Sequence, residues 1–125
     1  MIATNLTTGV VVADRVGVAD TRATRRTGLL GRDGLGAGEA LWIVPCRGVH
    51  TIGMHFAIDV LALDARGHVI DRVVNMKPWR IRLPRRGAAG VLELPAGTLE
   101  ASATEIGHRV ALSAGVNASE TKGWA

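Results

Sequence analysis

The chain has no tyrosine, one phenylalanine and one cysteine. Phe56, Trp42, Trp79 and Trp124 are its only aromatic residues, so its core must be aliphatic. The lone Cys46 excludes an intramolecular disulfide and fits a reducing compartment. Lysine is scarce too: Lys77 and Lys122 stand against an otherwise all-arginine basic set. No apolar run reaches the roughly 18 residues of a membrane-spanning helix. The opening MIATNLTTG has neither the basic start nor the apolar centre of a secretory signal. The expectation is a cytoplasmic chain with no transmembrane segment.

What is present bounds the fold. At 125 residues the chain is one domain by size, and 47% apolar content excludes a disordered chain. Sixteen glycines point to many turns and short elements. The net charge of +4, from 15 Lys+Arg against 11 Asp+Glu, favours solubility and weak attraction to anions. It does not define a nucleic-acid binder.

Hydrophobic patterning places the elements. Residues 2–6 read as an edge strand and residues 10–13 as a β-branched strand. A helix over residues 22–30, capped by Asp20 or Thr21, is weakened by Gly28 and ended by Gly31 or Gly34. Residues 41–44 read as a buried strand that Pro45 ends. From His50 to Val60 the pattern has period two, with a bulge expected at Gly53. Asp64-Ala65-Arg66-Gly67 is the clearest turn in the chain and joins two strands of a hairpin. Residues 80–90 are loop-like. Residues 91–94 form a strand, Thr98 caps a short helix to about Ile106 with Ser102 and Glu105 on its wet side, and residues 109–112 form the last strand. The result is an α+β domain over residues 1–112, with a mostly antiparallel, partly closed barrel-like β-sheet and two short helices. Residues 113–125 are expected to form a mobile tail, although Trp124 is unusual there.

Four residue sets carry possible chemistry. Cys46, His50, Met54 and His55 offer thiolate, imidazole and thioether donors suited to Cu(I), or to Zn²⁺ through Cys and His. In one extended strand, however, His50 and Met54 stand about 13 Å apart, so a shared ion needs a bend near Gly53. The same cysteine, activated by His50 or His55 with Asp59 behind it and Arg47 lowering its pKa, would make a nucleophile. His50, Thr51, Asp59 and Arg80 form a possible polar patch. Asp59 interrupts an apolar strand, and a buried carboxylate needs a partner. The last set is basic: Lys77, Arg80, Arg82, Arg85 and Arg86, with Trp79 beside them to stack. It has a charge suited to phosphate or anionic lipid, but no RRM-like aromatic pair or helix-turn-helix pattern accompanies it, so nucleic acid is not the expectation. Gly31 to Gly36 lacks the setting of a dinucleotide fingerprint or P-loop. Glu100 and Glu105 diverge around their helix and make a poor acid–base pair.

Six pieces in order resemble the bacterial and archaeal family called domain of unknown function 192. They are TGLLGR at 27–32, VHTIGM at 49–54 with IDV at 58–60, DARGHV at 64–69, KPWR at 77–80 and VLELPAG at 91–97. The resemblance implies a compact α+β domain with a barrel-like sheet and no established activity, with exported or membrane-attached relatives. The chain departs from the family pattern at Ile52-Gly53, where an aromatic residue is frequent, and at Gly107-His108, where Gly-Asp is common.

The function expected from these residues is that of a non-enzymatic binding or structural accessory domain. Its polar site would use His50, Thr51, Asp59, Trp79 and Arg80 to hold a small anion or a partner protein. The alternatives are a metal or redox protein using Cys46, His50 and Met54, and a small cysteine- or histidine-dependent hydrolase. No cofactor is required, and a monomer or weak dimer is expected.

Overall fold

The computed structural model describes residues 1–114. Its largest unit is a five-stranded sheet of β3 (Arg15–Ala19), β4 (Glu39–Ile43), β9 (Gly90–Pro95), β6 (Ile58–Leu63) and β7 (Val69–Met76), in that spatial order. Only the β3–β4 pair is parallel. A second sheet has the order β10 (Val110–Ser113), β1 (Ile2–Asn5), β2 (Val10–Ala13), and is antiparallel. A two-stranded ribbon pairs β5 (Val49–His50) with β8 (Ile81–Arg82). The helices are α1 (Arg22–Thr27) and α2 (Thr98–Ala101).

The α+β architecture agrees with the sequence reading, while "barrel-like" describes it loosely, because the large sheet does not close. Its two edges are stitched to the small sheet instead: His68 bridges Arg109 at one end, and Val16 N–H donates to Met1 O at the other.

Side-chain alternation along β9 divides the interior in two. Leu92 and Leu94 face a core shared with Leu61, Leu63, Leu99, Ala3, Val12 and Val110, so this side lies under the small sheet. Val91 faces the opposite way, into a second core with Val60, Ile58, Met54, Met76 and Leu29. Glu93, two residues on from Val91, shares that second side.

Several sequence expectations change in detail. The strand at residues 2–5 is central in its sheet, not an edge. Helix α1 stops at Thr27 because Gly28 turns off the helix at φ +49. Its start matches one of the two expected caps: Thr21 Oγ1 accepts from Thr24 N–H, and Thr24 Oγ1 accepts from Thr21 N–H. The long strand from His50 is broken, since Gly53 adopts φ +84 and the chain turns. The loop at 80–90 contains β8. Helix α2 is four residues long and stops well short of Ile106, and its N-cap is Gly97 and not Thr98. It ends because Thr104 is drawn into the interior, where Oγ1 meets Ser102 Oγ at 2.8 Å and Asn5 Nδ2 at 3.2 Å. Ser102 is therefore buried, not on a wet face. Ser113 still pairs with Ile2, and the rest of the expected tail from residue 115, Trp124 included, lies outside the described residues.

Candidate functional site

On the second side of the large sheet, the end of α1 and the 45–54 segment do not quite meet β9. A cavity of about 200 Å³ remains, open at one side. Leu29, Ile43, Pro45, Val49 and Met54 give it apolar walls, Arg25, Arg26 and Thr27 come from the last turn of α1, and Cys46, His50 and Glu93 bring further polar groups.

Glu93 is the unusual member. It sits on the central strand of the sheet, in register with Leu41 on one neighbour and Val60 on the other. Only 2% of it is exposed. Burial pushes its carboxyl up to about 7, and among the described residues no hydrogen bond or cation counters it. Beside it is Gly28, where even a Cβ would come within 4.0 Å of Glu93 Oε1. The result is a carboxyl that changes its charge near neutrality at the floor of an apolar cavity.

Cys46 is half-buried, and its Sγ donates to Gly48 O at 2.9 Å. Burial raises the thiol above its ordinary value and the Glu93 carboxylate adds to this, against the lowering effects of the Gly48 bond and Arg25. Such a thiol stays protonated at neutral pH. The charge that lowers it is that of Arg25, while Arg47, to which the sequence pointed, lowers it through its backbone.

The turn at Gly53 sends Met54 into the second core and His55 to the surface. Cys46, His50 and Met54 therefore share the cavity lining, and His55 does not. Among the described residues no three His, Cys, Asp or Glu side chains converge closely enough to hold a metal ion.

The polar patch expected at His50, Thr51, Asp59, Trp79 and Arg80 divides into separate parts. Asp59 is fully buried on the first side of the sheet. Its Oδ1 accepts from Asn75 N–H at 2.8 Å, and its Oδ2 from Gly97 and Leu99 N–H at 3.1 and 2.9 Å. It meets neither His50 nor Arg80, and it tethers β7 and the start of α2 to β6. Thr51, also fully buried, is a second tether: its Oγ1 donates to Lys77 O at 2.6 Å and accepts from Arg80 N–H at 3.0 Å. His50, Trp79 and Arg80 are exposed.

Glu93 was the residue that sequence reasoning passed over. The signal was available: a carboxylate between Leu92 and Leu94 interrupts an apolar strand just as Asp59 does. Arg25 carries no signal in the sequence, and only the placement of α1 at the rim of the cavity brings it there.

The fold and the cavity together define a small α+β protein with two packed sheets and one acid-floored hollow. The chain belongs to the DUF192 family, described as an uncharacterised ACR, whose profile matches residues 3–112. Its relatives include UPF0127 proteins of two archaea. The Thermococcus sibiricus protein is 32% identical over 111 residues, which cover 85% of this chain and 71% of that protein. The Pyrococcus furiosus protein is 42% identical over 62 residues, so the match spans about half of each chain. Two solved bacterial structures share the fold. A protein of unknown function from Novosphingobium aromaticivorans has a TM-score of 0.77 and 23% identity, covering 89% of this chain and 83% of that one. A Sinorhizobium meliloti protein with a provisional description as a transcription regulator has a TM-score of 0.74 and 21% identity, covering 88% and 89%. No helix among the described residues is long and apolar enough to cross a membrane.

Proposed function

We propose that the protein is a binding domain for a small amphipathic molecule held in the cavity above Glu93. The observation that carries this reading is a nearly fully buried carboxyl that has no hydrogen-bond partner among the described residues and whose oxygens open onto the cavity. Buried polar groups are ordinarily bonded, and a ligand that donates a hydrogen bond or carries an ammonium group would supply the missing partner. The apolar walls suit an aliphatic body. Arg25 spends one guanidinium nitrogen on Asp20 O at 2.8 Å, which leaves further donors for an acidic group. The volume corresponds to that of about seven water molecules, so the ligand has the size of a single amino acid. The chemistry that fits is an aliphatic zwitterion, with its ammonium group on Glu93 and its carboxylate on Arg25 or Arg26.

Thermal unfolding with leucine, and with its two halves isobutylamine and isovalerate, tests this. Leucine is expected to raise Tm, each half to raise it less, and Glu93→Leu and Arg25→Gln to weaken the response. No shift with any of the three at millimolar concentration sinks the reading.

A second reading keeps Cu(I) as the ligand, favoured by the shared lining of Cys46, His50 and Met54. Anaerobic titration separates the two. Stoichiometric Cu(I) uptake, lost in Cys46→Ser and His50→Ala, supports metal handling, and uptake no tighter than roughly micromolar removes it.

A further inference from the structure

Residues 77–86, KPWRIRLPRR, contain five cations and no acid. The structure sorts them. Arg82 turns inward and makes a two-pronged bond to the buried Asp71, at 2.9 and 2.8 Å. Arg85 reaches the same carboxylate at 3.4 Å. Holding Arg82 inward turns its neighbours Ile81 and Leu83 outward, where they are 65% and 74% exposed. Trp79, at φ +64, is 66% exposed. The arm therefore presents three large apolar side chains to water within five residues. Lys77, Arg80 and Arg86 are exposed around them, and the side chains of Lys77 and Arg86 have no ion-pair partner among the described residues.

We infer that this arm is a membrane-surface contact, seating Trp79, Ile81 and Leu83 in the interfacial region of an anionic bilayer with Lys77, Arg80 and Arg86 on the headgroups. Such a contact does not depend on any ligand in the Glu93 cavity. Charge complementarity supplies the direction: the arm carries cations only, and cations beside exposed apolar side chains match an anionic headgroup layer over hydrocarbon. Tryptophan is the side chain best suited to that boundary. Single-stranded nucleic acid would use the cations and Trp79 but would leave Ile81 and Leu83 in water, so the two aliphatic residues favour the bilayer. The Arg82–Asp71 clamp keeps the arm in place, so binding does not first have to order it.

Co-sedimentation with vesicles of equal parts phosphatidylglycerol and phosphatidylcholine, compared with phosphatidylcholine alone, tests the inference. Binding is expected on the anionic vesicles and not on the neutral ones. The double variant Ile81→Ser, Leu83→Ser should lose at least about tenfold in affinity, since both side chains leave water on binding. Lys77→Gln with Arg86→Gln should lose roughly fivefold for each cation removed. All four positions are exposed, and an unchanged circular dichroism melt will separate lost binding from lost folding. Brominated lipid should quench a part of the tryptophan emission that Trp79→Phe removes. The inference is overturned if the anionic vesicles are not bound at low salt, or if the Ile81→Ser, Leu83→Ser variant binds as well as the parent. It is overturned too if a single-stranded oligonucleotide displaces the vesicles and binds through Trp79 without regard to Ile81 and Leu83.

Discussion

Asp59 and Glu93 are both buried carboxyls, on neighbouring strands of one sheet and one register step apart. Asp59 lies opposite Leu94 and Glu93 lies opposite Val60. They point to opposite sides. Asp59 meets three backbone N–H groups, and Glu93 meets a cavity. The difference teaches how to read a buried acid. Complete hydrogen bonding marks a residue that holds elements together, and a carboxyl left facing a cavity is free of that task.

The sharpest way to break this comparison is to remove each carboxyl. Asp59→Ala should destabilise by about 3 kcal/mol, because it strands three backbone donors, the Leu99 N–H among them fully buried, and a urea unfolding series measures it. Asp59→Asn keeps one acceptor and should lose roughly half as much. An Asp59→Ala variant as stable as the parent would end its role as a tether.

Glu93 should behave in the opposite sense, and pH reveals it. Its carboxyl has an ordinary value of 4.5 and is raised to about 7 in the folded chain. Below pH 4.5 both states hold the proton. Between 4.5 and 7 the folded state keeps a proton that the unfolded state has lost, so stability falls as pH rises, by roughly 3 kcal/mol in all. Above 7 the contribution is flat. Asp71 is shifted the other way, chiefly by its hydrogen bond from Arg82, so its contribution is lost only as pH falls through the acid range. Glu93→Gln should abolish the fall between pH 4.5 and 7 and leave the variant more stable than the parent at pH 8. An unchanged slope in Glu93→Gln would assign the titration elsewhere.

Thr51 belongs with Asp59. Thr51→Val removes a donor from Lys77 O and an acceptor from Arg80 N–H, and should destabilise by about 2 kcal/mol, read from the same urea series. Cys46 belongs with Glu93, and here the effect is smallest. Its thiol should react with iodoacetamide more slowly than a free cysteine at pH 8, and about two- to threefold faster in Glu93→Gln. Rapid labelling of the parent would identify an activated thiol and favour the hydrolase alternative.

Much of the frame was legible because it rests on local pattern. The Asp64 turn reads from four residues, and its geometry is local: Asp64 Oδ1 accepts from Arg66 and His68 N–H, both at 2.9 Å. The strands at residues 10–13 and 91–94 read from β-branched and apolar runs. Misreadings fell where distant partners intervene. Thr104 could have extended α2 but bonds Asn5, 99 residues away. The alternation through His50 to Val60 resembles one strand because period two survives a turn at Gly53, which shows only in the backbone: φ +84 at Gly53 and a bond from Met54 N–H to Thr51 O at 3.1 Å. At the site, Cys46, His50 and Met54 were chosen for their donor atoms and do share a cavity. Glu93 and Arg25 had no such label, because each looks ordinary in its own element.

By itself the sequence determined the aliphatic core, the α+β class, the family and the two polar interruptions in apolar strands. Those follow from side-chain chemistry and near-neighbour spacing, which a linear chain already contains. Which interruption is satisfied and which is left facing a cavity was decided by tertiary structure alone. Asp59 is neutralised by N–H groups from residues 75, 97 and 99, and Glu93 is left alone because α1 and the 45–54 segment stop short of β9. Whether a buried charge has a partner depends on where other backbone atoms finish in space, and the residue's own neighbours in sequence do not settle that.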